Sequence, residues 1–486
     1  MHRYIALLLT ALALACPKVK AVKLPHIIGD NMVLQQNSDA RLWGWSQPGK
    51  TVTVTPSWSG KAVSAVADKE GRWQVEVATP AATFDAQTVT IDDGGEPVTL
   101  NNILIGEVWF ASGQSNMEMP LRGFTSQPIQ DAGRTIAYSG NYPGIRFAFI
   151  PKTAAYTPQD DVQTQWRVSS PAAAGEFSAL AYHFAKTLTD ILHVPVGIIN
   201  CAYGGSKVEG WMPKEILDTY PGWSVEAERD SASLQEYERI NVMYNAMLNP
   251  VAGYTVKGFL WNQGESNVGR HDEYPQHQKD MVEHWRKRWG NDSLPFYFME
   301  LALADYGYPH HNPAALFREG QYEAARITPH SYIIPSIDLF NEDETYIYHA
   351  SRKPEMGQRM AFSALANTYG VEGMPHVAPT FKSMDVEGNK AVLHFNDAWA
   401  GFYPRTDLKG FEVAGADRVF YPARADGDLD KGLITLTSDK VKDIKAVRYC
   451  FKNAEIGHVH DLMGMPLVPF RTDDWDDVNG YEEIVK

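Results

Sequence analysis

Residues 103–117, ILIGEVWFASGQSNM, decide the fold of this 486-residue chain. Nearly all of the first eight residues are apolar, which predicts a strand buried on both faces of a sheet. Small residues and Gly113 follow, and Ser115 stands where a turn or a helix begins. A serine in that position can expose its hydroxyl to a ligand or cap the helix, and both interpretations are open at this point.

Strands and helices alternate after this segment. Further buried strands are predicted at 196–200, 256–261, 296–301 and 333–337, and helices at 177–193, 234–247, 274–289, 314–326 and 353–369. This alternation predicts an α/β domain, with a parallel sheet that has helices on both faces. We assign residues 101–378 to it.

Strand patterns flank the α/β domain on both sides. Residues 24–100 contain short alternating segments such as 41–45, punctuated by turns such as Pro48-Gly49, which predict a small jelly-roll or immunoglobulin-like β-sandwich. Residues 379–486 return to the same rhythm. We expect the two β-rich regions to pack against each other and brace the α/β domain.

The N-terminus has the pattern of a secretory signal peptide, which we place at residues 1–21. His2 and Arg3 precede an apolar run at 4–15 that is too short to span a bilayer. Cleavage after Ala21 gives a soluble protein, whereas cleavage before Cys16 leaves a lipid anchor. We therefore expect export to the periplasm or the exterior, and no later segment predicts a transmembrane helix.

Charge and cysteine content narrow the classes of function. A net charge of -15 offers no basic face to a nucleic acid, so we expect no such partner. Cys201 and Cys450 are too few and too far apart for a disulfide framework, which predicts two buried thiols.

Three predicted strand ends carry residues suited to ester chemistry, and the carboxyl ends of parallel strands meet at one edge of a sheet. Ser115 follows the first. Gly205, in the segment 200–206, offers a backbone N–H to an oxyanion, although a plain tight turn also explains the paired glycines. Asn262 and Gln263 offer side-chain amides, for which an Asx-turn is the ordinary explanation.

A serine hydroxyl needs a base at neutral pH. His349 follows the predicted strand 333–337 and precedes the helix at 353, so it belongs to a fourth strand end. The pair His310-His311 is the competing candidate. Adjacent histidines do not easily share one metal ion, and no third ligand is spaced nearby, so we expect no metal and no other cofactor.

Together these segments resemble the sialate O-acetylesterase branch of the SGNH/GDSL hydrolases. Residues 106–119, GEVWFASGQSNMEM, are close to the nucleophile block of that family, and residues 261–267, WNQGESN, resemble its Trp-x-Gln-Gly-Glu-x-Asn block. Similarity at 41–45, 447–449 and 469–474 extends the resemblance over nearly the whole chain.

The resemblance implies an SGNH-type three-layer α/β/α domain that removes acetyl groups from the hydroxyls of sialic acids without a metal. By position, Ser115 is the nucleophile and His349 the base. The implied oxyanion hole consists of the Ser115 N–H, the Gly205 N–H and the Gln263 side chain, with Asn262 as the alternative donor and Glu265 supporting Gln263 or its loop.

The histidine block departs from the family pattern, which commonly has an acid two or three residues before the histidine and a proline directly after it. Here those places hold Ile347, Tyr346 and Ala350. We therefore predict a Ser–His dyad, with Asp343 as the outside candidate for a third member. Asp338 and a backbone carbonyl are the other ways to orient the imidazole.

Two other functions fit the same residues. An esterase for acetylated xylan or another plant glycan uses the same chemistry on a different pocket, and we expect aromatic residues of 208–249 to line that pocket. A non-catalytic glycan-binding protein on an esterase scaffold is the alternative from another class, favoured only by the unusual His349 loop.

Overall fold

The computed structural model describes residues 22–481, apart from 230, 345, 347, 399 and 429–431. The predicted signal peptide, with its candidate anchor Cys16, lies outside the described residues. Among the described residues, no helix is long and apolar enough to cross a membrane.

The N-terminal region is a β-rich unit whose last strand continues into the centre of the molecule. Its strands are β1 (Val33–Gln35), β2 (Asp39–Trp45), β3 (Thr51–Pro56), β4 (Val63–Val66), β5 (Arg72–Ala78), β6 (Thr83–Asp92) and β7 (Val98–Gly113). The first part of β7 pairs with β1 and β6, and its second part pairs with neighbours in the central sheet. One strand thus belongs to both units.

The central α/β domain follows β7. Its elements are α1 (Ser115–Glu118), α2 (Ala132–Tyr138), β8 (Ile145–Phe149), β9 (Trp166–Val168), α3 (Ala179–Leu192), β10 (Val196–Ala202), α4 (Lys214–Leu217), α5 (Val225–Arg229), β11 (Gly258–Asn262), α6 (Tyr274–Trp289), β12 (Phe296–Met299), α7 (Pro313–Ile327), β13 (Ser331–Ile334) and α8 (Lys353–Asn367). The strand order is β13-β12-β11-β7-β10-β8-β9, parallel throughout except for β9.

Helices cover both faces of this sheet, as predicted. Successive side chains of a strand point to opposite faces. Trp109 therefore meets Phe184 of α3, with ring centroids 5.0 Å apart, while Phe110 meets Trp285 of α6 at 5.6 Å. The apolar run that predicted a buried strand fills both cores, which confirms the three-layer α/β/α architecture.

The C-terminal region forms two further sheets. Its strands are β14 (Thr380–Glu387), β15 (Lys390–Asn396), β16 (Phe411–Ala414), β17 (Phe420–Pro422), β18 (Arg424–Asp428), β19 (Leu433–Thr437), β20 (Ala446–Tyr449) and β21 (Phe470–Arg471). The sheets have the orders β14-β15-β19-β18 and β17-β16-β20-β21.

The two terminal β-rich regions do not share a core, contrary to our expectation. The N-terminal core is continuous with the α6 side of the central sheet, and the C-terminal core with the α3 and α8 side. Over the described parts of 22–97 and 379–481, no hydrogen bond joins the two regions. Each region buries its apolar surface against a different face of the α/β domain.

Two smaller predictions have different outcomes. Instead of one helix at 234–247, the chain forms a short 3-10 turn at Glu236–Glu238 and a π-helical turn at Tyr244–Leu248. The Arg239 guanidinium donates to backbone carbonyls of this segment and stabilises its irregular course. Cys201 and Cys450 are free, buried thiols, as predicted.

Candidate active site

Ser115 and His349 meet at the carboxyl edge of the central sheet. Ser115 opens the single-turn helix α1 directly after β7, and His349 lies on the loop between β13 and α8. The Ser115 Oγ is 2.8 Å from the His349 Nε2. This is the hydrogen-bonded arrangement of a serine nucleophile and its base. Of the two candidate bases, the structure therefore brings His349 to the serine; the ring of His311 instead stacks on Tyr308.

The turn that presents Ser115 depends on a glycine. Gly113 has a φ of +134°, and a Cβ there would clash with the backbone carbonyl of Asn262 on the neighbouring strand β11. That carbonyl also accepts the N–H of Gln114. Close approach of β11 thus fixes the backbone immediately before the nucleophile.

The other ring nitrogen of His349 meets a residue that the sequence did not point to. The His349 Nδ1 lies 2.6 Å from the Oε1 of Gln127. An amide oxygen only accepts, so Nδ1 carries the proton and Nε2 is left to accept the serine proton. The Phe124 ring packs edge-on against the imidazole at 5.3 Å, and backbone hydrogen bonds between Phe124 and Gln127 hold this loop together.

Neither aspartate proposed as the third member contacts His349. Asp343 is exposed, on the short turn Glu342–Glu344. The side chain of Asp338 is buried, but it forms an ion pair with Arg359 at 2.7 Å. The predicted Ser–His pair is therefore completed by an uncharged amide rather than by a carboxylate.

The surroundings of His349 favour the neutral imidazole. Burial, aided by the nearby positive charge of Lys353, lowers the pKa of His349 to about 4. At any pH well above that value the imidazole is therefore neutral, and its Nε2 can accept a proton from Ser115.

The glycine turn after β10 adjoins the nucleophile. The Gly204 N–H donates to the Glu118 Oε2 at 2.7 Å, which ties the turn to α1. Gly205 has a φ of +81°, and its N–H donates to no acceptor among the described residues. The Ser115 N–H, in the first turn of α1, is likewise unused, so two of the three expected oxyanion donors are available.

Gln263 is not available as the third donor. Its Nε2 donates to the Ser206 carbonyl at 3.2 Å and to the Asn267 Oδ1 at 2.7 Å, and its Oε1 accepts from the Tyr274 hydroxyl. Every polar atom of this buried side chain is therefore committed to the loops behind the site. The Asn262 side chain makes no hydrogen bond among the described residues and lines a cavity of about 10 Å³.

Glu265 supports a different residue from the one expected. Its Oε1 accepts from the Nδ2 of Asn116, the neighbour of the nucleophile, at 2.6 Å. Burial raises the pKa of this carboxyl. No hydrogen bond connects it to Gln263 within the described part of the chain, so its support goes to the turn that carries Ser115.

Comparison with known proteins agrees with this geometry. A model of the family described as "Carbohydrate esterase, sialic acid-specific acetylesterase" matches residues 105–366, more than half of the chain. The chain belongs to this family. It is accordingly a carboxylic ester hydrolase, and the matched range includes both Ser115 and His349.

Relatives of the family are similar over almost their whole length. Sialate O-acetylesterase from Pongo abelii is 26% identical over 492 residues, covering 92% of each chain. The mouse protein of that name is 25% identical and covers 91% of this chain and 93% of its own. A crystal structure of a carbohydrate acetylesterase from Xanthomonas citri is 32% identical, has a TM-score of 0.82, and covers 93% of this chain and 100% of its own.

Proposed function

We propose that this esterase removes O-acetyl groups from sialic acids, with Ser115 as the nucleophile and His349 as the general base. The contact between the Ser115 Oγ and the His349 Nε2 at 2.8 Å carries the mechanistic part of the proposal. The names of the family and of its mammalian relatives support the choice of sugar.

The reaction proceeds in two halves. The Ser115 Oγ forms a bond to the acetyl carbonyl carbon while its proton passes to the His349 Nε2, and the N–H groups of Ser115 and Gly205 stabilise the oxyanion. The bond from the acetyl carbon to the sugar oxygen then breaks, and His349 returns the proton to that oxygen. Water attacks the acetyl-serine, gives a proton to His349, and acetate leaves as Ser115 recovers its proton.

The rim of the site carries aromatic side chains on the glycine side. A Cβ on Gly205 would lie 2.7 Å from the Cδ2 of Tyr237, so this ring lies directly against the glycine turn. The neighbouring Tyr203 ring is 6.5 Å from it. Aromatic faces suit the apolar faces of a sugar ring. Trp211, by contrast, is fully buried and belongs to the core.

One observation favours a neutral plant glycan as the second candidate substrate. Lys152, a cation at this rim, pairs with Glu118 at 2.8 Å and lies over the Tyr203 ring. The carboxylate of Glu118 therefore competes with the carboxylate of a sialic acid for this cation. An acetyl ester of xylan or of a similar polysaccharide makes no such demand.

Acetate release from a panel of substrates tests both the reaction and the sugar. Wild type and Ser115→Ala are compared on O-acetylated sialosides, acetylated xylan and 4-nitrophenyl acetate. We expect wild type to act on the sialosides and Ser115→Ala to be inactive on every ester. Equal rates in the two proteins would remove the serine mechanism. An inactive wild type that still binds glycans would favour the glycan-binding alternative. A preference for acetylated xylan would show that the substrate is a plant glycan rather than a sialic acid.

We also propose that the protein is exported, on the signal-peptide pattern of residues 1–21. Cell fractionation of wild type and Cys16→Ser tests this. A soluble periplasmic or extracellular protein in both cases supports cleavage after Ala21, and membrane association lost in Cys16→Ser supports the lipid anchor. A cytoplasmic protein would overturn the proposal.

A further inference from the structure

Asn116, the residue after the nucleophile, makes three hydrogen bonds and is 2% exposed. Its Nδ2 donates to the Tyr348 carbonyl at 2.9 Å and to the Glu265 Oε1 at 2.6 Å, and its Oδ1 accepts from the Lys353 Nζ at 2.6 Å. A carbonyl only accepts and an ammonium only donates, so these partners fix which end of the carboxamide faces which neighbour.

The bond to Tyr348 bears directly on the catalytic histidine. The Tyr348 carbonyl belongs to the peptide that joins this residue to His349, so a donor at this oxygen orients that peptide. Tyr348 has a φ of +60°, in the left-handed region that costs energy for a residue with a Cβ. Asn116 therefore connects the backbone beside Ser115 to the strained backbone beside His349.

Two buried ionisable groups hold Asn116 in turn. Lys353, 1% exposed, has no carboxylate within 4 Å among the described residues. The Glu265 Oε2 is buried without a hydrogen-bond partner. Burying such groups without a direct pair is unfavourable for stability. Both groups hydrogen-bond to Asn116 instead. The side chain that links the two catalytic segments is therefore also the one that partly offsets the burial of these two ionisable groups.

We propose that Asn116, clamped between Lys353 and Glu265, is the positioning residue that sets the contact between Ser115 and His349. It does so in a site where no carboxylate orients the imidazole. This inference rests on the proposed roles of Ser115 and His349.

Lys353 adds an electrostatic effect to the clamp. The charged groups around it are Glu265 and Glu344, and its charge acts on His349, whose other neighbours Gln127 and Phe124 are uncharged. Burial lowers the pKa of Lys353 to about 8, so it remains a cation below that pH. Its charge acts in the same direction as burial on the pKa of His349, keeping the base unprotonated.

Asn116→Ala tests the positioning role against a matched control. Asn245 is also buried, 3% exposed, and its Nδ2 donates to the Ala155 carbonyl and the Asn241 Oδ1, away from Ser115 and His349. We expect Asn116→Ala to lower kcat about 10²-fold, since a small misplacement of reacting groups has an effect of this size, with KM little changed. Asn245→Ala should keep the kcat of wild type. Equal kcat in the two folded variants would overturn the proposal.

Lys353→Met provides a second measurement that does not depend on Asn116→Ala folding. Removing the cation should shift the acid limb of the kcat/KM profile to higher pH, because the pKa of His349 rises. A limb that stays in place would contradict the electrostatic effect of Lys353, and a kcat equal to that of wild type would contradict its role in holding Asn116. Ester hydrolysis that survives Ser115→Ala would instead refute the proposed role of Ser115, on which this inference rests, so the two failures are distinguishable.

Discussion

The Nδ1 of His349 lies 2.6 Å from the Oε1 of Gln127, where Ser–His hydrolases with a full triad hold a carboxylate. The amide can fix the tautomer and the direction of the ring, but it brings no negative charge to stabilise the imidazolium that forms during the reaction. The site therefore has the geometry of a triad and the electrostatics of a dyad.

Gln127→Glu should convert this dyad into a charged triad. A carboxylate beside Nδ1 favours the protonated imidazole, so the pKa of His349 rises and the acid limb of kcat/KM moves to higher pH. Gln127→Ala, which removes the acceptor, should lower kcat about 10²-fold, at the lower end of what positioned acid–base groups contribute. Both effects are measured on 4-nitrophenyl acetate and on an acetylated sugar.

Asp343→Asn is the matched control for Gln127. Because Asp343 is exposed and does not contact His349, its replacement should leave kcat and the acid limb unchanged. A loss near the roughly 10⁴-fold effect of removing a true triad aspartate would show that Asp343 reaches the histidine during catalysis. That result would contradict the role given to Gln127.

The wild-type protein should work as an esterase in unusually acidic solution. An ordinary histidine loses its proton near pH 6.5, whereas the pKa of His349 is lowered to about 4 by burial and by Lys353. The active form is the neutral imidazole, so kcat/KM should fall only as the pH drops through about 4. Acetate release between pH 3.5 and 8, with circular dichroism to verify folding at each pH, measures this. A limb near pH 6.5 would mean that His349 is more solvated than the structure has it.

The sequence pattern was sufficient to predict which strand ends carry the site, but not which side chains form hydrogen bonds within it. Ser115 and Gly205 each follow a buried strand, and the parallel pairing of β10 with β7 brings these two strand ends together, so their proximity followed from strand order. His349 lies on the long loop after the edge strand β13, so its contact with Ser115 also depends on the path of that loop. Gln127 lies on an irregular loop that follows no strand, and nothing in its local sequence distinguishes it from other surface glutamines. Its partnership with His349 depends on long-range packing, as does that of Asn116 with Lys353.

Gln263 should prove to be a stabilising residue rather than an oxyanion donor. Gln263→Leu leaves the buried Ser206 carbonyl without its donor, and an unsatisfied buried group costs about 1–3 kcal/mol. The Asn267 amide oxygen and the Tyr274 hydroxyl each lose one partner but keep another, the Val208 N–H and the Gln263 backbone carbonyl. We expect a lower free energy of unfolding in urea, with kcat near that of wild type for the folded fraction.

Gln278→Leu is the control for that substitution. Gln278 is fully buried, but neither polar atom of its side chain has a hydrogen-bond partner among the described residues. Its replacement should therefore leave stability unchanged or raise it. If Gln263→Leu instead keeps full stability and loses 10²–10³ in kcat, the amide is the oxyanion donor that the family resemblance implied.

Tyr237 should determine how well the sugar, rather than the acetyl group, is held. Its ring lies against Gly205 and is 37% exposed, so it can stack on a sugar whose acetyl carbonyl is at Ser115. Tyr237→Ala should raise KM for acetylated sugars about 2- to 10-fold, the range expected from losing one ring contact, while KM for 4-nitrophenyl acetate is little affected.

Tyr237→Phe keeps the ring and should behave as wild type. Tyr138→Ala, at a 61% exposed tyrosine on α2, controls for loss of a surface ring. An equal change in KM for sugar and nitrophenyl esters would place Tyr237 in the acetyl pocket, and no change for either would remove it from the substrate site.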